Sequence, residues 1–474
     1  MPVTLPTAAR AAAALAALTA AAALARVSSW RHAVGLDAGQ YLYVADVLLD
    51  GGTPYVDAAN NKGPMTYLLF ALIRLGAGTS MTAVRVVFLA GAVLSAVAFG
   101  AYVAHYAGRA AGVLVAATFA LFAGLPAFEG DVPNTEHLAL PFIVGSWWLA
   151  TRSAGSRAAA VAAGAAAGTA VAMNPSFAVV LPFTAFELWR GAGPARPNRL
   201  ALSAAGAAAI AVPLLIWIAA AGAWDAMWDQ VVATAHHKLR SSVSHGTFDV
   251  PLPKLWLAGL AGLALACADR RLRRVALPLI AWAAACWGRI KFAGYEFPHH
   301  YYPALLALAG GLALGVAYVA ERIPRPRVRW AFVVVALALP LWQGVVRAER
   351  ATSGAAHVPS GRSLEPQVVD YAVADFVRAH TRAGDRILVA GGGGGIYWLA
   401  GRRANTPLFD SPSLRFRDDN VRRRAAAVRQ RPPAALVTLP GVEVLDPTFL
   451  RLIDPREYRP AFALNGARVW LRAP

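Results

Sequence analysis

Long apolar runs, each broken by a short cluster of arginines, recur along most of this chain. A helix of ~20 apolar residues crosses a bilayer, and only helices or closed barrels satisfy their backbone groups there. The candidate spans are 8–27, 82–106, 110–126, 138–151, 158–173, 175–189, 200–222, 252–268, 275–288, 301–320 and 330–346, about eleven in all. Charged residues are only 15% of the 474 and hydrophobic ones 57%, a balance foreign to a soluble domain of this size. The chain reads as a polytopic α-helical membrane protein. Its net charge of +19 does not mark a nucleic-acid surface, because the arginines fall between apolar spans as they do in cytoplasmic loops. The run 8–27 is long and lacks a clear cleavage site, so it reads as the first spanning helix and not as a signal peptide. Cys267 and Cys286 both fall in spans, and no structural disulfide is expected.

Segment 64–76 is apolar but too short to cross, and reads as a re-entrant or interfacial helix. With the N-terminus inside, the basic clusters RGAGPARPNR (190–199), DRRLRR (269–274) and ERIPRPRVR (321–329) all become cytoplasmic. Were 64–76 to cross, that pattern would invert from there onward. The outer face then receives loops 28–81, 127–137, 223–250 and 289–300.

This divides the chain into a membrane module, 1–349, and a C-terminal soluble α/β domain, 350–474, on the outer side. In the latter VVDYAVADFVRAH has helical spacing, RILVAG and AALVTL are buried-strand runs, and GIYWLAG and 419–430 are helical. FALNGARVWLR is a hairpin with Asn465-Gly466 as its turn. The GGGGG at 391–395 lacks the spaced third glycine of a dinucleotide fingerprint, since Ile396 stands there, and reads as a plain turn. The domain shows no phosphate loop, metal spacing or nucleophile–base pair, and its expected role is to cover an acceptor entrance. No internal repeat is evident, which counts against a transporter of duplicated halves.

The first outer loop, GLDAGQYLYVADVLLDGGTPYVDAANNKGPMTY (35–67), carries Asp37, Asp46, Asp50, Asp57 and Lys62 beside hydrocarbon. Tyr41, Ala45, Leu48 and Leu49 give its first half a helical repeat, expected to lie along the membrane surface. The second loop, EGDVPNTEH, holds Glu129, Asp131, Asn134, Glu136 and His137. Later loops add His236, His237, Lys238 and Arg240, then Arg289, Lys291, Glu296, His299, His300, Tyr301 and Tyr302. All four lysines, Lys62, Lys238, Lys254 and Lys291, lie on or beside this outer face, where the positive-inside rule would not put them. Acids and bases gathered at a membrane face suit a reaction on a phosphate-bearing lipid. Asp46, Asp50 and Asp57 read as solvated or capping groups, and Trp224, Met227, Trp228 and Val231 as one stripe of a membrane-surface helix. His236 and His237 fit either an interfacial or a functional role.

DAGQYLYVADVLLDGGTPY followed by NKGPMTY resembles the first outer loop of the GT-C glycosyltransferases, in their protein-mannosyltransferase-like and aminoarabinose-transferase-like branch. There an Asp, a Tyr and G-x-x-P-Y precede a closing Lys-Pro-Pro; here the closing motif is Lys62-Gly63-Pro64, with the lysine kept. DVPNTE (131–136) is similar to the family's second acidic loop, FPHHYYP (297–303) to its late motif, and the C-terminal region to its outer domain.

The resemblance implies inverting transfer of a sugar from a polyprenyl-phosphate donor to an acceptor (glycan, lipid or protein) on the extracytoplasmic face of the plasma membrane. Asp37 would be the base on the acceptor hydroxyl. Lys62, with Arg289, Lys291, His299, His300 or Tyr301, would hold the donor phosphate. Asp131 and Glu136 would orient the acceptor or a metal ion. Whether a divalent cation (Mg, Mn or Ca) takes part stays open, since no clean ligand spacing decides it. A transporter or flippase of lipid-linked sugars is disfavoured by charges gathered at one face. A glycan polymerase or ligase would use a similar face.

Overall fold

The structure, a computed structural model, describes residues 7–26, 35–130, 132–191, 196–233, 252–293, 297–338, 366–390, 394–410, 414, 419–440, 446 and 448–473. The chain order is α1 (Thr7–Leu24), α2 (Leu36–Leu49), α3 (Pro64–Ala77), α4 (Met81–Ala107), α5 (Arg109–Phe122), α6 (Thr135–Arg152), α7 (Arg157–Met173), α8 (Val180–Gly191), α9 (Arg196–Ala220), α10 (Pro253–Ala266), α11 (Arg273–Ala293) and α12 (Leu305–Ala320). Then follow α13 (Pro366–His380), β1 (Arg386–Ala390), α14 (Gly394–Ala400), β2 (Arg403–Ala404), α15 (Asn420–Gln430), β3 (Ala435–Thr438), β4 (Tyr458–Leu464) and β5 (Ala467–Arg472). They form two compact units. The first is Met1–Ser29, Val86–Ala211 and Val243–His357; the second is Trp30–Arg85, Val212–Ser242 and Val358–Pro474.

The first unit is helical throughout its described residues. Three described helices of the chain, Met81–Ala107, Arg196–Ala220 and the helical run Pro298–Ala320, are long and apolar enough to cross a membrane by length and composition. The expectation of about eleven spans rests on sequence alone. Helices α10 and α12 touch through bare backbone. A Cβ added at Gly262 would fall on the Gly311 carbonyl, and one at Gly315 would meet the Gly262 Cα at 2.6 Å. In hydrocarbon no hydrophobic force drives helices together, so small residues that admit close packing set the interface.

Elsewhere in this unit Glu187 of α8 is buried, and each of its oxygens has a partner. Tyr102 donates at 2.9 Å and Tyr106 at 2.7 Å, while Arg190 lies 2.9 Å from the second oxygen. Such full satisfaction is what makes a buried carboxylate tolerable.

In the second unit α3 is a 14-residue helix, ~21 Å long and well short of a bilayer's ~30 Å. Gly63 is its N-cap and Pro64 its first residue, which accounts locally for the Lys-Gly-Pro motif. Helix α2 departs from expectation. Ala38, Tyr41, Leu42, Tyr43, Val44, Ala45 and Val47 are at most 2% exposed, so it is an internal helix, not one lying on a membrane surface. A segment that is apolar on nearly every side is buried on every side, which a search for one stripe misses. Asp46 is correspondingly not solvated. It pairs with Arg74 at 2.6 Å, and burial raises its carboxyl to about 6 against the lowering pull of Arg74. Asp57 does cap a turn, accepting from Thr53 N at 2.7 Å. The run from Trp224 is not one continuous α-helix either: Trp224–Met227 is α-helical and Trp228–Ala233 is π-wound.

The C-terminal elements match the sequence reading closely. The sheet order is β2-β1-β3-β5-β4, with β1 parallel to β2 and β3, and β5 antiparallel to β3 and β4. The fully buried β3 run reads as continuous apolar sequence, as central strands do. Asn465 (φ 51°) and Gly466 (φ 86°) make the left-handed hairpin turn. Arg424 and Asp446, 22 residues apart, form a buried bidentate pair at 2.6 and 2.7 Å under the sheet. Of the GGGGG run, 391–393 lies outside the described residues. Gly394 and Gly395 are not a plain turn but the start of α14.

Two outcomes follow. Gly262→Leu is expected to destabilise the first unit by about 1–3 kcal/mol, read as a lower unfolding temperature in detergent. Asp370 flanks the buried stripe Val369, Val373, Ala374 and Val377 of α13, and burial raises its carboxyl to about 7. Its folded value exceeds the unfolded one, so the stabilisation is full below about pH 4 and is lost as pH rises through about 7. Relative to the parent, Asp370→Asn should gain roughly 1–3 kcal/mol between pH 4 and pH 8 in thermal unfolding. An equal offset at both pH values would contradict this.

Candidate functional site

In the first unit a buried polar cluster gathers around the start of α6. Asn134 caps that helix, its side chain accepting from Thr135 N at 2.7 Å, which fixes Glu136 in the first turn. Glu136 is fully buried. Arg289 Nη1, from α11, lies 3.8 Å from its carboxylate and donates to Ser176 Oγ at 3.2 Å, while Nη2 donates to the His300 carbonyl. The guanidinium also faces the Phe177 ring at 5.2 Å. His299 and His300 come from the 3-10 segment Pro298–Ala304 that leads into α12.

His299 Nδ1 is 2.6 Å from Glu129 Oε2, and Glu129 itself sits in the left-handed region at φ 50°. A non-glycine residue held there is strained, and such strain gathers at functional positions. If Glu129 holds the Nδ1 proton, Nε2 of His299 carries the ring's lone pair, the form in which imidazole ligates a metal. One donor atom each from Glu136, His299 and His300 lie within 4.8 Å of one another. A carboxylate with two imidazoles suits Zn better than Mg, Ca or Mn, which favour oxygen shells. The donor set therefore fits a borderline divalent ion. The His137 ring lies 3.7 Å from the Tyr302 ring, tilted at 44°, and Arg26 donates to the Ala123 carbonyl at 2.6 Å.

The remaining expected residues divide. Tyr301 is fully buried, with its ring 5.7 Å from that of Trp287. Lys291 is exposed, its ammonium 5.5 Å from the Trp287 ring. Asp131, His236, His237, Lys238, Arg240 and Glu296 lie outside the described residues. Glu129, Ser176 and Arg26 were not singled out as site residues from sequence. Only Glu129 had a signal, its place in the second acidic loop.

In the second unit Asp37 occupies the first turn of α2, where the helix dipole favours a carboxylate. Tyr41 lies one turn on, on the same face. The Lys62 ammonium sits 5.9 Å from the centre of that Tyr41 ring. Lys62 is held by its main chain: Tyr55 Oη donates to its carbonyl at 2.8 Å, and its N–H donates to Tyr67 Oη at 3.2 Å. Asn60 joins this to α2, its Nδ2 donating to Gln40 Oε1 at 3.0 Å and its Oδ1 accepting from Tyr67 at 2.9 Å. The loop thus folds back so that Lys62 and the Asp37 helix share one neighbourhood.

No family model and no curated protein matches the sequence. Solved structures do. ArnT from Cupriavidus metallidurans, bound to undecaprenyl phosphate, aligns over 98% of this chain and 98% of its own at 14% identity, with a TM-score of 0.64. The oligosaccharyltransferase AglB from Archaeoglobus fulgidus, in complex with an inhibitory peptide and a dolichol-phosphate, aligns over 97% of this chain and 74% of its own at 12% identity, with a TM-score of 0.57. This is a GT-C-like fold. The same AglB in complex with Zn and sulfate aligns at 14% identity over 97% of this chain and 73% of its own, with a TM-score of 0.53. The GT-C fold and the apolar helices are consistent with a membrane location.

Zinc titrated into chelator-treated protein should bind, and His299→Ala should abolish that binding. Glu129→Gln should weaken it about 10–100-fold, as loss of a supporting carboxylate does. Calorimetry reads both, and full zinc affinity in His299→Ala would rule the donor set out.

Proposed function

We propose that the protein is an integral-membrane, inverting glycosyltransferase that moves a sugar from a polyprenyl-phosphate donor to an acceptor hydroxyl on the extracytoplasmic face. What supports this best is the alignment of nearly the whole chain with two proteins whose structures hold polyprenyl phosphates. The loop around Asp37 and Lys62 supplies chemistry to match. Asp37 takes the proton of the acceptor hydroxyl as that oxygen bonds to the anomeric carbon. The bond from that carbon to the phosphate oxygen breaks, and the lipid phosphate departs with the electron pair. The Lys62 ammonium meets the charge that grows there, so its interaction is stronger in the transition state than before it.

Asp131 is assigned to acceptor orientation. In the first unit Arg289 supplies a fixed positive fork, and Glu136, His299 and His300 would hold a divalent ion, which would add electrostatic stabilisation of anionic oxygens. The region 350–474 is assigned to the outer side and to no chemical step.

The test uses a deletion strain of the source organism. Its accumulated lipid-linked sugar, identified by mass spectrometry, is returned to purified protein together with membranes of that strain. Asp37→Asn should lower turnover about 10²–10⁴-fold while undecaprenyl phosphate still binds. Lys62→Met should weaken both. Asp37→Asn at parental turnover would remove the base assignment.

A further inference from the structure

The glycine run that reads as a turn has a more specific place in the second unit. A Cβ added at Gly39 would fall on Gly395 N and come within 2.9 Å of its Cα. One added at Gly394 would lie 2.5 Å from Gln40 N and 2.8 Å from Gln40 Cα. Helices α2 and α14 therefore meet backbone to backbone, two and three residues after Asp37. Side chains can give way by changing rotamer; two main chains in contact cannot.

The contact continues along the whole loop. Ala404 N donates to Tyr43 Oη at 2.9 Å, and the Tyr43 ring lies 4.7 Å from Tyr397 and 4.5 Å from Phe409. Arg403 donates to the Val47 carbonyl at 3.2 Å and pairs with Asp50 at 3.1 Å, holding the far end of α2. Ala59 N donates to the Pro407 carbonyl at 2.9 Å. Beyond α3, Trp398 Nε1 donates to the Gly78 carbonyl at 3.1 Å, and Tyr371 Oη bridges Thr79 O and Met81 N, both at 3.1 Å. A domain that only covered an entrance would need none of these main-chain bonds.

We infer that the C-terminal domain is the clamp that positions the Asp37 helix, with Gly39, Gly394 and Gly395 as positioning residues that set the distance. This rests on the reading of Asp37 as the base. A base displaced by about 1 Å can lose on the order of 10²-fold in rate although nothing at the reacting atoms has changed. The domain thus contributes to turnover without supplying a reacting group.

Gly39→Ala and Gly394→Ala, made in the full chain, should each lower turnover of the extracted lipid-linked sugar on the order of 10²-fold. Undecaprenyl phosphate affinity should change far less, and amide exchange should rise across 36–49 but not in α10 or α12. Gly384→Ala, at a site in the same domain with no atom within 4 Å, should leave turnover unchanged. Combined with Asp37→Asn, Gly39→Ala should cost nothing further, because a misplaced base and an absent one act on the same step. If the alanines do not fold, Arg403→Met tests the same clamp without added volume, and should show the same split at about tenfold. Parental turnover in folded Gly39→Ala and Gly394→Ala, or a Gly39→Ala loss that adds in full to that of Asp37→Asn, overturns the inference. An active Asp37→Asn removes the base and the clamp together; an inactive Asp37→Asn beside active glycine variants removes the clamp alone.

Discussion

The contact between Arg289 and Glu136 decides how much of the first unit can be arranged. Neither side chain is more than 6% exposed, and each ion taken from water costs several kcal/mol unless it is met by opposite charge and hydrogen bonds. Arg289 meets that demand by using its fork on three separate segments at once: the start of α6, the Ser176 turn and the His300 carbonyl. The ends of those segments are therefore fixed by one guanidinium. A lysine there would carry the charge but could not span the three partners. The Glu129–His299 contact sits beside this arrangement and inherits its rigidity.

The second unit solves a similar problem with neutral groups. Tyr55, Tyr67, Asn60 and Gln40 hold the main chain around Lys62, and an aromatic face sits near the ammonium. The lysine is held through its backbone, and among the described residues its ammonium forms no ion pair. A group prepared in this way needs little reorganisation when negative charge develops before it.

Much of this was legible in the sequence where local rules apply. The Asn465-Gly466 hairpin, the Lys62-Gly63-Pro64 junction and the short α3 follow from turn chemistry, capping and length. Asp37, Lys62 and the loops carrying Glu136, Arg289, His299 and His300 were visible as charges that hydrocarbon would not tolerate without cause. The partnerships were not. Glu129 and His299 are 170 residues apart, and Tyr43 and Ala404 are 361 apart. No periodicity encodes such contacts. Helix α2 misled because burial by another domain and burial by lipid select the same apolar residues. Gly394 and Gly395 misled for a related reason: a glycine required by a neighbouring backbone looks like a glycine required by a turn.

The tyrosine contacts of Glu187 carry a consequence for α4. Tyr102 and Tyr106 are one turn apart on that helix, and both hydroxyls end on one carboxylate. An α-helix advances about 100° per residue, so one residue inserted between Val86 and Tyr102 would swing both hydroxyls away and leave Glu187 with Arg190 alone. Helix α4 is therefore indexed as a key is by its teeth: its rotation and its depth are both read by one buried acid. Substitutions at its exposed apolar positions, such as Leu94 and Val97, can be absorbed, but changes in its length cannot.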